Sequence, residues 1–352
     1  MCIRDSIWGA NKFIDNASSI AGKMGISDFI IGLSVVALGT SFPEIFVGIS
    51  SIINNNEELA LGTIVGSNIS NIALIFGVSC IGYTVGINPT SKRNFVALGM
   101  SVLVAIYALS DLNISQLDSL LLLLVLAYFI YIMSTQPIDS NQIIESSHLT
   151  FLNLFVFLVI GLIALVVGSN YAVIHGEKIA LIIGIPKLIV GLTVLAIGTS
   201  LPELAVTISA LLKNKNQMVL GNIIGSNVLN IAVVMPILGI FSSQHYDASI
   251  MTRDLMVMSI LTIIFIFIAL SFNYKDISSN IYRLMGLALV SGYVVYIGIL
   301  SGILALLTPC IFPMIPLTVS FFIKQNQSNR KGIFDALLYG FFIKILLFLI
   351  GL

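Results

Sequence analysis

The chain has 352 residues, 58% of them hydrophobic and only 9% charged, with 16 Lys and Arg balancing 16 Asp and Glu. Soluble domains average about 45–50% apolar residues, so a fold with this composition and a mean hydropathy of +1.07 cannot hide its apolar surface in water. Neutral net charge without a basic patch gives no reason to expect nucleic acid, and three scattered cysteines (Cys2, Cys80, Cys310) make neither a disulfide framework nor a zinc site.

Apolar runs of about 20 residues, each long enough to cross a hydrocarbon core of ~30 Å as a helix, recur along the whole length. In chain order they fall near 26–53, 59–82, 94–110, 116–134, 150–174, 185–212, 218–241, 251–272, 281–300, 303–322 and 333–351, after a weaker segment at 7–21. The fold class is therefore an all-α polytopic membrane protein. The N-terminus has no signal-peptide pattern, and the first true span suffices to direct insertion. With the N-terminus outside, the inside loops collect Lys23, Lys92, Arg93, Lys213, Lys215, Lys275 and Arg283, and the outside loops only Lys178, Lys187 and Arg253. That bias puts the loop Asn54 to Glu58 outside and the loop Lys213 to Gln217 inside. It fits an integral plasma-membrane protein, most simply in a bacterial inner membrane.

The second span, counting the weaker segment at 7–21, carries "VALGTSFPEIFVGI" (Val36 to Ile49), and the seventh carries "VLAIGTSLPELAVTI" (Val194 to Ile208). The two glutamates are 203 − 44 = 159 residues apart. The same offset aligns "LGTIVGSNISNIA" with "LGNIIGSNVLNIA", and roughly half the positions from Gly32 to Ala73 are identical to their counterparts. The chain is a duplication. About five spans fill one period, and an odd number makes the second copy enter the membrane from the opposite face. Two inverted five-helix repeats are expected, at 9–134 and 150–300, joined by a loop at 135–149. Inverted repeats with interrupted helices are a signature of secondary transporters. No nucleotide-binding motif is present, so neither an enzyme nor a cofactor is expected.

Pro43 and Pro202 have no N–H for the carbonyls of Gly39 and Gly198, so the helices can open there and offer carbonyl oxygens. Glu44 and Glu203 add anionic oxygens at mid-span, where an ionisable residue is by default functional. The "GSN" motifs add Ser67, Asn68, Asn71, Ser226, Asn227 and Asn230, while Gly66 and Gly225 allow close helix packing. Every candidate ligand is an oxygen, which favours hard cations such as Ca²⁺ and Na⁺. Two carboxylates balance one Ca²⁺, and the same cage could instead hold several Na⁺. If it cannot hold both loads together, exchange follows. The bland alternative has the glutamates snorkelling or paired with a base, but no Lys or Arg lies at comparable depth in either repeat. For Asn68 and Asn227 helix-to-helix hydrogen bonding outweighs ion contact. Asp15 and Glu177 read as interfacial, and His148, His175 and His245 as loop or interfacial residues.

At these residues the chain resembles the calcium/cation antiporter superfamily, in particular its bacterial sodium/calcium exchanger branch, over residues 8 to 300. The resemblance implies ten helices in two inverted repeats and a secondary active antiporter exchanging Ca²⁺ for Na⁺ by alternating access. It implies Glu44 and Glu203 as central ligands and backbone carbonyls from Thr40 and Thr199. Ser41, Ser67, Ser200 and Ser226 would complete the sodium sites, and Asn71 and Asn230 would line the centre. Ca²⁺ and Na⁺ would be substrates, the lipid bilayer the surroundings, and no obligate protein partner is implied. Potassium-dependent members carry Asp where this chain has Asn230, which weakens the case for potassium co-transport. Proton coupling through the glutamates is the rival within the same fold.

Two ends depart from that pattern. Subtracting 159 from the long run Phe151 to Asn170 puts the start of its counterpart before residue 1, so the first helix reads as truncated and residues 1–8 as foreign. Residues 301–352, "SGILALLTPCIFPMIP" onward, resemble the first membrane helices of the thiol:disulfide interchange (cytochrome c biogenesis) family. There Cys310 would be the first of two cysteines, and no second follows before Leu352. A membrane electron-transfer fragment is thus the alternative of another class.

Overall fold

The computed structural model describes residues 2–53, 57–82, 92–135, 150–182, 200–241, 246, 250–271 and 278–306. The expected spans at 303–322 (beyond 306) and 333–351, most of the loop at 135–149, Thr199, Gly198, Cys310, His148 and His245 lie outside them.

The described residues form ten helical segments. They are α1 (Cys2–Met24), α2 (28–53), α3 (57–81), α4 (Arg93–Ala108), α5 (Gln116–Ser134), α6 (Phe151–Ile182), α7 (Leu201–Leu212), α8 (Asn216–Phe241), α9 (Ile250–Ser271) and α10 (Ser279–Leu306). Seven of them contain stretches long and apolar enough to cross a membrane. The helices form two groups, residues 1–172 with 196–290, and 173–195 with 291–352. Only the first holds the candidate site.

Two ends differ from expectation. The first helix starts at Cys2 rather than near residue 7, because nothing in "CIRDSIW" stops a helix. Its buried positions Ala10, Phe13, Ile14, Ala17 and Ala21 follow the i, i+3, i+4, i+7 pattern of one amphipathic face. It ends at Gly25, whose φ of 67° is the left-handed value that glycine adopts without strain. At the other end α10 runs on through Leu306 instead of stopping at 300, since the glycines at 298 and 302 are tolerated in membrane helices.

Burial separates the helices by role. In the apolar windows of α3 and α8, 78% and 83% of positions are buried, against 22–33% in α5, α6, α9 and α10. The two helices bearing the "GSN" motifs are therefore the centre of the fold. Close approach of α8 to α2 depends on glycine. A Cβ at Gly221 would strike Phe29 O and Leu33 N, one at Gly225 would strike Leu33 O, and one at Gly32 would strike Met218 O. Gly225 thus packs as expected, whereas a Cβ at Gly66 would meet no atom of the described residues within 4 Å, so close packing is not found there. Beside this centre, Phe265 of α9 meets Phe76 of α3 edge-on, with ring centroids 4.7 Å apart.

The turn from α7 to α8 is pinned to α1 and α2. Asn214 takes a positive φ of 57° there. Lys213 Nζ pairs with Asp15 at 2.6 Å and Lys215 Nζ with Asp28 at 3.3 Å. Ser209 Oγ donates to Asn11 Oδ1 at 2.7 Å.

Candidate ion-binding site

α2 is interrupted at a single residue. Ser41 has φ −80° and ψ 0°, outside regular helix geometry, and Ser200 just before α7 has φ −88° and ψ 4°. These twin positions stand two residues before Pro43 and Pro202, where the missing N–H removes a helical bond. The chain resumes helix at once, with Ile45 N–H donating to Ser41 O at 3.1 Å and Leu204 N–H to Ser200 O at 3.0 Å. Glu44 and Glu203 thereby fall in the first turns of new helical segments, where the partial positive charge of exposed N–H groups favours an anion.

A second device leaves no mark on the hydrophobic pattern. α3 and α8 each widen into a π turn, Asn71–Phe76 and Asn230–Val234, and both turns begin at the last asparagine of the "GSN" motif. A π turn inserts one residue into the ladder and so re-aims the side chains that follow, a feature frequent at functional sites. A third, Gly32–Val36, precedes the break in α2.

These irregularities converge. α7 touches the π turn of α3, and the second half of α2 touches the π turn of α8. Asn68 Nδ2 donates to Asn227 O at 3.4 Å, a bond between positions separated by 159 residues and thus between twins. Contact between equivalent residues is what a two-fold relation between copies produces. Asn68 Oδ1 in turn accepts from Asn230 Nδ2 at 3.3 Å. Asn68 is thus used in joining α3 to α8, while Asn227 Nδ2 bonds back to Ile223 O at 2.7 Å.

Of the ten expected site residues, nine are described, and every one is at most 2% exposed: Thr40, Ser41, Glu44, Ser67, Asn71, Ser200, Glu203, Ser226 and Asn230. Thr199 is the tenth, outside the described residues. Ser67 Oγ donates to Glu44 Oε1 at 3.4 Å, and Thr40 Oγ1 lies 3.5 Å from Ser226 Oγ. Among the described residues, Glu44 Oε2, Ser41 Oγ, Ser200 Oγ, both amide atoms of Asn71 and Asn230 Oδ1 have no hydrogen-bond partner, and the Glu203 carboxylate has the Thr40 hydroxyl beside it. Glu203 lies within electrostatic reach of Glu44. The ion pairs among the described residues join Lys213 to Asp15, Lys215 to Asp28 and Arg253 to Asp254, and none reaches either glutamate. No three His, Cys, Asp or Glu side chains cluster among the described residues.

Two carboxyl groups buried without a basic partner among the described residues, amid neutral polar atoms, can be compensated by cations. Comparison with known proteins agrees. A profile of the sodium/calcium exchanger protein family matches residues 5–135 and 153–302. The chain belongs to the sodium/calcium exchanger family. The family match falls in two blocks, each containing one "GTS-x-PE" and one "GSN-x-x-N" motif, and it includes residues 5–8. It ends at residue 302, short of Cys310.

Among relatives, the sodium/calcium exchanger MaX1 of Methanosarcina acetivorans is 29% identical, over 83% of this chain and 94% of that protein. The inner membrane protein YrbG of Escherichia coli is 31% identical, over 84% and 93%. A solved structure of the sodium-calcium exchanger NCX_Mj, soaked with Na⁺ and Ca²⁺, superposes with a TM-score of 0.71 at 28% identity, covering 84% of this chain and 95% of that one.

The structure also brings in polar residues that the sequence reading passed over. Asn222, Thr207 and Ser70 are each at most 1% exposed, and Asn222 Nδ2, Thr207 Oγ1 and Ser70 Oγ lack partners among the described residues. Their twins are Thr63, Gly48 and Leu229. Reading only positions that are alike in both copies concealed them.

Proposed function

We propose that this exchanger-family protein is a secondary active antiporter that moves Ca²⁺ against Na⁺ by alternating access, with no catalysis and no cofactor. The observation that carries the reading is the pair Glu44 and Glu203, at most 2% exposed and without a basic partner among the described residues. Each buried ion costs several kcal/mol of desolvation, and removing its counter-charge leaves that cost uncompensated. One Ca²⁺ neutralises the two carboxylates, and so does a load of two or more Na⁺. The ligands are Glu44, Glu203, Asn71, Asn230, Ser41, Ser67, Ser200 and Ser226, with Thr40 and Thr199 contributing backbone carbonyls. Because the two loads draw on the same carboxylates, they bind in turn. An empty site keeps its charges exposed to one side, so the protein returns only when reloaded, and that is exchange.

The duplication supports two repeats, 9–134 and 150–300, inverted with respect to one another, which would let one end of the site open as the other closes. The Lys and Arg bias supports an outside N-terminus and a bacterial inner membrane.

The test is Ca²⁺ uptake into proteoliposomes preloaded with Na⁺ or with choline. Uptake is expected to require internal Na⁺ and to fall to background in Glu44→Gln and in Glu203→Gln. Uptake indifferent to Na⁺ and driven by a pH gradient would transfer the reading to proton exchange. Full activity in both variants would remove the glutamates from the site.

A further inference from the structure

Asn222 lies on α8 one turn before Ser226 and two turns before Asn230, so the three side chains share a helix face. Its side chain is 1% exposed. The amide oxygen stands 3.3 Å from Thr40 Oγ1, and its Nδ2 has no partner among the described residues. Thr40 Oγ1 is crowded with acceptors: Val36 O at 3.1 Å, Ala37 O at 3.4 Å, Asn222 Oδ1 at 3.3 Å and Ser226 Oγ at 3.5 Å, with the Glu203 carboxylate beside it as well.

A hydroxyl has one proton and two lone pairs. The nearest acceptor, Val36 O, lies one turn back on the same helix, which is the ordinary bond of a helical threonine. Once that proton is used, two acceptors cannot face each other at Asn222 without repulsion. The nitrogen and oxygen of a side-chain amide have the same shape, and their assignment follows from the hydrogen bonds available. Turning the amide over lets Nδ2 donate to a lone pair of Thr40 Oγ1. The carbonyl oxygen then occupies the buried position that has no partner among the described residues.

We infer that the side-chain oxygen of Asn222 is an additional ligand for a monovalent cation, Na⁺, held with Ser226 and Thr40 on the α2–α8 side of the site. This rests on the exchanger reading. The three oxygens are neutral, which suits a singly charged hard cation better than Ca²⁺, whose binding draws on the carboxylates. The twin of Asn222, at 222 − 159 = 63, is Thr63, whose shorter side chain is only half-buried. The two halves of the site are therefore unequal, and the α2–α8 side carries one more oxygen ligand for Na⁺.

The experiment measures Na⁺-driven Ca²⁺ uptake by the full chain in proteoliposomes, against internal Na⁺ and separately against Ca²⁺, for the wild type, Asn222→Thr, Asn222→Ala and Asn222→Asp. Thermal melting of each purified protein is followed in NaCl and in choline chloride. Asn222→Thr and Asn222→Ala are expected to need about tenfold more Na⁺ for half-maximal exchange. Their Ca²⁺ half-saturation should move by less than about twofold. Their melting shift on adding Na⁺ should shrink, and Asn222→Asp, which keeps the oxygen, should retain it. An unchanged Na⁺ requirement would overturn the inference, and so would Na⁺ and Ca²⁺ dependences that rise together, as a purely structural role would make them. A wild type without Na⁺-dependent uptake would bring down the exchanger reading itself, and this inference with it.

Discussion

Asn71 offers two hydrogen-bonding atoms, and neither finds a partner among the described residues although the side chain is only 1% exposed. A buried amide left unsatisfied costs about 1–3 kcal/mol, so folding alone favours an apolar residue of similar volume. Asn71→Leu is therefore expected to hold or raise the melting temperature while reducing Na⁺-driven Ca²⁺ uptake at least about tenfold. A variant that lost stability and transport in proportion would show that the amide serves packing instead. Sequence reading finds Asn71 because Asn230 stands at its twin position, and the same holds for Glu44 with Glu203 and Ser67 with Ser226. It passes over Asn222 because its twin is a threonine, and Thr207 because its twin is Gly48. Duplication exposes what the two copies share, and the side chains that make the halves differ emerge only when the helices are packed.

The packing of α8 on α2 is an element-scale contact made of backbone. A methyl group at Gly225 would meet Leu33 O and Ala37 Cβ, and overpacking of this kind costs about 1–3 kcal/mol where neighbours can yield. Two helix backbones yield poorly, so Gly225→Ala is expected to reduce the monodisperse yield in detergent and to lower the melting temperature. Gly99 on α4 has no atom of the described residues within 4 Å of a Cβ. Gly99→Ala is expected to be neutral or to stabilise by up to about 1 kcal/mol through helix propensity. Equal effects in the two variants would mean that α2 and α8 are not held this closely. The breaks at Ser41 and Ser200 are legible in the sequence, since a proline two residues on fixes where the ladder fails. The π turns at Asn71 and Asn230 are not. In a helix that is apolar on every side, one inserted residue leaves no mark on hydrophobic periodicity. The early start of α1 and the extension of α10 to Leu306 escape for a related reason: no residue there forbids helix, and length alone does not set the boundary.

On the scale of the whole molecule, the apolar residues are distributed inside out relative to a water-soluble protein. Leu103, Leu152, Ile163, Ile263, Phe267 and Leu284 are between 56% and 72% exposed, while Glu44 and Glu203 are at most 2% exposed. Composition alone foretells this reversal, because 58% hydrophobic residues exceed what a core of this chain length can contain. A single substitution tests whether the exposed surface faces lipid. Ile263 is 68% exposed and lies near the middle of α9, a helix of mean hydropathy 2.4. If it faced water, Ile263→Lys would be an ordinary surface change, within about 0.5 kcal/mol of neutral. Facing hydrocarbon, a lysine at the centre of a spanning helix costs about 2.5–3.5 kcal/mol on the insertion scale. Ile263→Lys is therefore expected to lower the fraction of chain integrated into membranes and the melting temperature of what is extracted. Ile263→Ser, which adds polarity without charge, should do so far less. Integration assayed by alkaline extraction of membranes distinguishes the cases. Wild-type levels of Ile263→Lys would mean that this face of α9 is covered by protein or water instead of lipid, and the arrangement of helices around the buried carboxylates would have to be redrawn.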